Sequence, residues 1–285
     1  MPDDLTTRLF VADWGLAAKL SAAILGACLS PAPAQAQTYQ IDEFHNLPRL
    51  TWDDTTTLAR APGDWDSRQW SEAGLGLAAV VAVGFALDHA ADQWVVRNRR
   101  ASWDQPAKDV AQLGGVGGLV LIGGGYLGAS WLDKPEARSL WVDAGIATAL
   151  ARGSAFVVQF ATDRAVPSDN EGTSHFRPFS SSGSFPSGHT SQALAMASVI
   201  SMHADSAWVG AAAYGLAGMV GLARMETRDH FASDVVAGAL LGTTIGRAVV
   251  HVNQAKRAAG GARSEISFAP IWRPDYRGIQ LVAKF

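Results

Sequence analysis

The sequence predicts an all-α fold that ends in a short C-terminal β-hairpin. Apolar segments rich in alanine, leucine and valine follow one another along the chain, the first three beginning at Ala73, Val110 and Ser139. These residue types, in runs of this length, favour helices over strands. Polar or proline-containing stretches separate the runs, as expected for loops. Only the tail differs, since apolar residues stand at every second position from 279 to 285, which is typical of a strand.

Four regions are predicted along the chain. Residues 1–36 are typical of an export signal, because the apolar run LSAAILGACLS is followed by a small-x-small pattern that ends at Ala36. An overlapping alternative is a lipoprotein box, LGAC, that ends at Cys28. Residues 37–70 are predicted to be a polar arm, 71–255 a helical domain, and 256–285 a linker with the hairpin. An exported chain of this kind belongs in the bacterial cell envelope, membrane-associated or periplasmic.

The composition leaves two arrangements of the helices open. Hydrophobic residues make up 48% of the chain and charged residues only 17%, against about 25% charged in ordinary soluble domains. The helices are therefore either buried in a compact bundle or partly embedded in a membrane. The formal net charge of -3 gives no reason to expect nucleic acid as a partner.

The stretch FPSGHT contains a candidate anion site. Pro186 cannot lie inside a helix, and Ser187 suits the N-cap position of the alanine-rich run that follows. The backbone N–H groups around Ser187, Gly188 and His189 would then point off a helix N-terminus, where anions bind. Gly188 would let an oxyanion approach the backbone closely.

A second group of chemically useful residues follows in ARMETRDHFASD. Arg224 precedes His230 by six residues, and Asp234 comes four residues after that histidine. If a helix begins near His230, the i, i+4 spacing places Asp234 on the same face. The carboxylate is then predicted to accept the proton of one imidazole nitrogen and to leave the other free for attack. Arg224 supplies a cation suited to phosphate oxygens.

These two motifs resemble those of the type 2 phosphatidic acid phosphatase superfamily, which includes bacterial acid phosphatases and vanadium haloperoxidases. The second motif of that family, P-S-G-H, is matched at 186–189. The third, S-R-x5-H-x3-D, is matched by Arg224, His230 and Asp234, with Ala223 in place of the serine. The resemblance covers roughly Ala73 to Val252. It implies a six-helix-type bundle.

The first motif of the family, K-x6-R-P, is degenerate. The register that ends at Pro167 places Gln159 at the lysine position and Val166 at the arginine position. A second register, ending at 177–178, lacks the lysine as well. Arg164 and Arg177 lie in this segment, and each is predicted as a substitute cation for the phosphate.

The resemblance implies phosphoryl transfer that needs no metal or cofactor. His230 would attack phosphorus with Asp234 orienting it, and His189 would protonate the leaving oxygen. Arg224, Ser187 and Gly188, joined by Arg164 and Arg177, would bind the phosphoryl oxygens. The sequence gives no sign of a dinucleotide cofactor either. Gly123, Gly125 and Gly128 fit the pattern G-x-G-x-x-G, but the strand that precedes this pattern in a dinucleotide site is not predicted here. No two histidines have the H-x3-H spacing of a zinc site.

Three functions are consistent with these residues. The preferred one is hydrolysis of a phosphomonoester or diphosphate, of a lipid because the helices are apolar, with the membrane as a partner. A soluble periplasmic acid phosphatase acting on small phosphoesters is the second. The third is a non-catalytic envelope protein that binds phosphorylated lipid, because the first motif lacks its lysine and arginine. A haloperoxidase is disfavoured, since its vanadate site uses those two residues.

Overall fold

The computed structural model describes residues 47–180, 183–259, 265–272 and 277–284. The segment predicted as an export signal, including Cys28, lies outside these residues. The described part contains eight α-helices: α1 (Leu47–Arg60), α2 (Ser67–Asn98), α3 (Ala101–Ala111), α4 (Val116–Trp131), α5 (Pro135–Thr162), α6 (Gly188–His203), α7 (Ala207–Glu226) and α8 (Ala232–Ala259). The all-α prediction is confirmed.

The helix α6 forms the centre of the bundle. It contacts α5, α7 and α8, and most of its side chains are buried, including Leu194 and Val199. Glycines let α8 approach it closely, because a methyl group at Gly246 would come within 2.6 Å of the Ala195 carbonyl oxygen. The helix that carries the P-S-G-H motif is thus held on three sides.

The described helices exceed the predicted six-helix-type bundle by two, for local reasons. Residues predicted as a polar arm contain α1 and the start of α2, where Asp66 and Gln69 form a reciprocal capping box. The apolar run from Val110 is divided at Gly114 and Gly115, where a 3₁₀ turn separates α3 from α4. The C-terminal strands β1 (Glu265–Trp272) and β2 (Arg277–Lys284) pair antiparallel.

Three of the described helices are long and apolar enough to cross a membrane, namely α2, α5 and residues Ala232–Ala258 of α8. Residues Ala101–Gly114 and Val116–Trp131 would make a fourth span if they are taken as one element bent by 49°. Large apolar side chains such as Phe85, Trp131 and Trp208 are almost fully exposed. Exposed apolar surface of this extent indicates a partner or a membrane, so the structure favours the membrane-embedded arrangement.

A buried ionic cluster fixes the end of the bundle where α6 finishes. Asp143 is fully buried and accepts hydrogen bonds from both terminal nitrogens of Arg257, at 2.7 and 2.8 Å. Asn253 donates to the same carboxylate at 2.9 Å, and His203 Nε2 lies 2.9 Å away. The cluster joins α5, α6 and α8 by charge-assisted hydrogen bonds.

Replacing Asp143 is therefore expected to destabilise the bundle. Asp143→Ala removes the buried carboxylate on which Arg257, Asn253 and His203 converge, and breaking such a buried pair costs about 3–5 kcal/mol. The exposed pair of Asp133 and Arg138, at 3.6 Å, provides the control, and Asp133→Ala should change the free energy of unfolding by less than about 1 kcal/mol. Thermal unfolding in detergent measures both variants, and equal midpoints would contradict the assignment.

Candidate active site

The residues of both sequence motifs meet at the N-terminus of α6. This helix begins at Gly188, and Ser187 is its N-cap, with its hydroxyl accepting from the Thr190 N–H. The loop between α7 and α8 brings His230 to the same place. The Ser187 N–H donates to the Asp234 carbonyl at 2.9 Å, so the start of α8 is joined directly to the start of α6.

His230 is held by a backbone carbonyl. Its Nδ1 lies 2.7 Å from the carbonyl oxygen of Ser184 but 3.9 Å from Oδ2 of Asp234. The prediction that Asp234 accepts the imidazole proton is therefore corrected, because the Ser184 oxygen is the hydrogen-bond acceptor. A carbonyl oxygen cannot donate, so Nδ1 carries the proton and Nε2 keeps a free lone pair.

The Asp234 carboxylate accepts hydrogen bonds from donors other than the His230 ring. Its Oδ2 accepts from the Phe231 N–H at 2.8 Å, and its Oδ1 accepts from Nη1 of Arg164 at 2.5 Å. The carboxylate thus holds the residue next to His230 and the first turn of α8. Asp234 orients the histidine through the loop rather than through the ring.

Burial keeps His230 neutral. Only 7% of the residue is exposed, and this burial, with Arg224 nearby as the next cause, lowers the pKa of His230 from 6.5 to about 3. The imidazole is therefore uncharged at neutral pH, which is the state that a nucleophile requires.

The same burial makes stability depend on pH. Between pH 6.5 and about 3 the unfolded chain binds a proton at this histidine that the folded chain excludes. The free energy of unfolding should therefore fall as the pH is lowered through this window, by up to about 1.4 kcal/mol per pH unit from this group. His230→Gln should remove that part of the slope in thermal unfolding at a series of pH values. An unchanged slope would show that His230 titrates normally in the folded protein.

His189 lies over the turn between α3 and α4. A methyl group at Gly115 would come within 3.2 Å of its Nε2, and Gln192 Nε2 donates to the Gly115 carbonyl at 2.8 Å. Burial, followed by the charges of Arg224 and Arg152, lowers the pKa of His189 to about 4. A bound phosphate would offset those two positive charges and raise the pKa of this histidine again.

Arg152 is a site residue that the sequence analysis missed. It lies on α5, and its guanidinium packs against Gly188 so closely that a side chain there would overlap it. The side chain is partly open to solvent. It makes no ion pair within the described part of the chain. The available signal was its isolation, since no other charged residue occurs between Asp143 and Asp163, and a lone charge in an apolar helix marks a functional site.

Arg224, at the end of α7, is the second cation of the site. Its Nη1 lies 3.1 Å from Asp229, while its buried Nε has no partner among the described residues. Burial lowers the pKa of Arg224, and the charge of Arg152 lowers it further. The two guanidiniums are therefore neighbours, an arrangement that an anion between them would stabilise.

The two substitute cations predicted from the sequence lie elsewhere. Arg164 is 5% exposed and binds the carboxylates of Asp88 and Asp234. Arg177 lies on the surface of the loop, with Asp163, Asp169 and Glu171 within 3.5–4.0 Å. The described contacts thus pair both arginines with carboxylates, and neither is free for a phosphate in this arrangement.

Two residues of α5 bear on the first motif. Gln159 is buried and donates to the Pro186 carbonyl at 2.8 Å, so it supports the P-S-G-H turn. Arg152 precedes Gln159 by seven residues, which is the spacing of the lysine and arginine in K-x6-R-P. Gln159 and Phe160 do not match the arginine and proline of the motif, so the register that ends at Pro167 stays a prediction.

Gly188 provides the space for Arg152. Because the far end of a flexible side chain is what a new methyl group would meet, Gly188→Ala should displace the guanidinium without unfolding the protein. We expect phosphate affinity to fall about tenfold, with the unfolding midpoint unchanged. The neighbouring open position Gly153 gives the control Gly153→Ala, which should bind phosphate as the wild type does. Equal affinities for the two variants would contradict this role of Gly188.

The described part of the chain is helical and apolar enough for a membrane protein, and it brings two histidines, two arginines and a helix N-terminus together as a candidate anion site. The PAP2 superfamily model matches residues 141–258, the segment that contains these residues. Over these residues the chain is similar to the PAP2 superfamily.

One curated relative and two solved structures are similar to the chain. The lipid A 1-phosphatase of Porphyromonas gingivalis is 38% identical over 65 residues, which are 22% of this chain and 15% of the relative. The PAP2-type phosphatidylglycerolphosphate phosphatase of Bacillus subtilis is 22% identical, with a TM-score of 0.47 over 64% of this chain and 93% of that chain. Aquifex aeolicus LpxE is 24% identical, with a TM-score of 0.43 over 58% and 96%.

Proposed function

We propose that the protein is a metal-independent phosphatase that acts on a lipid phosphomonoester or diphosphate through a phosphohistidine. The observation that carries the proposal is the state of His230, whose Nδ1 donates to the Ser184 carbonyl and whose Nε2 keeps its lone pair. A neutral, oriented histidine beside two guanidiniums is what nucleophilic attack on a phosphoryl group needs.

In the first step, Nε2 of His230 forms a bond to phosphorus as the bond to the leaving oxygen breaks. His189 carries a proton once the substrate has offset the charges of Arg152 and Arg224, and it donates this proton to the leaving oxygen. In the second step, water attacks phosphorus while His189 accepts its proton. The bond between phosphorus and His230 then breaks, and inorganic phosphate leaves.

The negative charge of the transferred group would be bound by fixed donors. Arg152 and Arg224 supply two cations, and the backbone N–H groups of Gly188 and His189 lie in the first turn of α6, where intrahelical acceptors are lacking. Such preorganised donors stabilise charge that develops in the transition state.

A lipid substrate is supported by the surface beside the site. Phe156 and Phe160 follow Arg152 on α5 by one and two turns, and both are exposed, as is Val157. Acyl or prenyl chains whose phosphate is bound at Arg152 would cover these side chains. The name of the relative from Porphyromonas gingivalis supports the same class of substrate.

Phosphate release by the purified protein in detergent tests the proposal. The assay contains excess chelator and offers phosphatidic acid, a polyprenyl diphosphate or a soluble aryl phosphate. We expect release from a lipid substrate to survive the chelator. Faster release from the aryl phosphate would favour an acid phosphatase of broad specificity, and no release from any substrate would favour a phosphate-binding protein.

A further inference from the structure

A buried charge cluster lies next to the loop that carries the proposed nucleophile, His230. Asp88 of α2 accepts from Nη2 of Arg164 at 2.7 Å, and from the N–H and hydroxyl of Ser233 at 2.8 and 2.6 Å. Nη1 of Arg164 donates to Ser233 at 2.8 Å and to Asp234 at 2.5 Å. All four residues are buried.

Arg164 is hydrogen-bonded to Asp234 and to Ser184, the two residues that lie beside the His230 ring. Its side chain binds Asp234, and its backbone carbonyl accepts from the Ser184 N–H at 2.8 Å. Ser184 in turn holds Nδ1 of His230. The guanidinium also lies over the Phe231 ring, 4.3 Å from its centroid. A displacement of Arg164 would therefore move the acceptor of the histidine proton and the loop that carries the histidine.

Asp88 keeps Arg164 in place. The loop that follows α5 carries Arg164, whereas Asp88 lies in the interior of α2. The side chain of Arg164 is extended between Asp88 and Asp234, with one terminal nitrogen on each carboxylate. Its Nε and Nη2 also donate to the Thr173 carbonyl, Nε at 2.9 Å. Without Asp88, the guanidinium would lose one of its two carboxylate partners and part of its orientation.

The charges of the cluster also match the proposed chemistry. One guanidinium and two carboxylates leave a net charge of -1 in a buried place. When Nε2 bonds to phosphorus and Nδ1 keeps its proton, the imidazole ring gains one positive charge. The nearby excess carboxylate would stabilise that charge in a region of low dielectric constant.

We propose that Asp88 and Arg164 are positioning residues for the His230 nucleophile, acting through Ser184 and Asp234. The inference rests on the proposed function, since it assigns these residues a part in forming the phosphohistidine. Neither residue touches the phosphate, so their replacement should slow turnover and leave phosphate binding intact.

The test compares Asp88→Asn with Asp92→Asn. Asp92 lies one turn further along α2 and pairs with Arg228 at 2.8 Å, so it is a matched salt bridge from the same helix without a contact to Asp234. For Asp88→Asn we expect kcat to fall about ten- to a hundredfold, with KM within about threefold of wild type and less phosphohistidine trapped by acid quench. Asp92→Asn should keep the wild-type kcat. The dissociation constant for inorganic phosphate should be the same in all three proteins.

Arg164→Lys is the second variant, in case Asp88→Asn does not fold. Lysine retains the charge but lacks the two-pronged guanidinium, so kcat should again fall with phosphate binding unchanged. The inference is overturned if the Asp88 and Arg164 variants keep the wild-type kcat, if Asp92→Asn loses as much, or if phosphate binding falls in parallel. A wild type that releases no phosphate would instead overturn the proposed function.

Discussion

His230→Ala is expected to abolish phosphate release. The substitution removes the only nitrogen proposed to bond to phosphorus, and losing a nucleophile costs on the order of 10⁴-fold or more in kcat. Affinity for inorganic phosphate should change little, because Arg152, Arg224 and the first turn of α6 remain. Phosphate release and phosphate binding, measured on the same preparation in detergent, check both parts.

The control is His251→Ala, on the exposed side of α8, which should keep the wild-type rate. Acid-quenched wild-type protein should also contain phosphohistidine that the His230 variant lacks. Residual turnover of His230→Ala above about one-hundredth of wild type would mean that water attacks the substrate directly. The covalent step would then be wrong, although a phosphatase would remain.

Arg152→Gln should produce the second largest loss. The substitution keeps a polar, shorter side chain but removes one of the two cations at the α6 N-terminus. Losing one such contact costs about 10²- to 10³-fold in kcat, and the KM for the phosphorylated substrate should rise as well. Arg152→Lys restores the charge without the planar donor pair and should recover part of the rate.

The variant Arg177→Gln distinguishes the cation assigned from the structure, Arg152, from the substitute cation predicted from the sequence, Arg177. Removing Arg177 affects only its contacts with nearby carboxylates, so the rate should stay within about twofold of wild type. The prediction from the first motif requires the opposite result. A large loss for Arg177→Gln with none for Arg152→Gln would support Arg177 as the substitute cation and exclude Arg152 from the site.

The parts of the site that depend on local spacing were predictable. Pro186 to His189 predicted a capped helix start, and the structure shows Ser187 as N-cap at that place. The spacing of His230 and Asp234 also predicted a helix that begins near the histidine, and α8 begins at Ala232. These features follow from a few consecutive residues, so that no knowledge of packing was needed.

Features that depend on packing between distant segments were not predictable in the same way. Whether an arginine faces a phosphate or a carboxylate depends on what the fold places opposite, and Asp88 is 76 residues from Arg164. Arg152 was missed because the motif was aligned on a proline, whereas the structure shows that its partner is Gly188. The presence of a single arginine in an otherwise apolar helix was the better indication of a candidate site residue.

The position of the break between α3 and α4 was not predictable for a related reason. The run from Val110 to Trp131 is continuously apolar, and its glycines gave no sign of which one breaks the helix. The break falls where the start of α6 crosses, since even a methyl group at Gly114 would overlap the His189 carbonyl. Contact with another helix, rather than local preference, therefore decides where α3 ends.

The acceptor for the His230 proton is a backbone atom, and this has a consequence for how the protein can change over time. Every amino acid at position 184 offers the same carbonyl, so no single substitution there deletes the group that keeps Nδ1 protonated. The cations Arg152 and Arg224 have no such protection, because one codon change removes each of them. Related chains that have drifted away from catalysis should therefore lose the arginines first and retain a correctly protonated histidine as a relic.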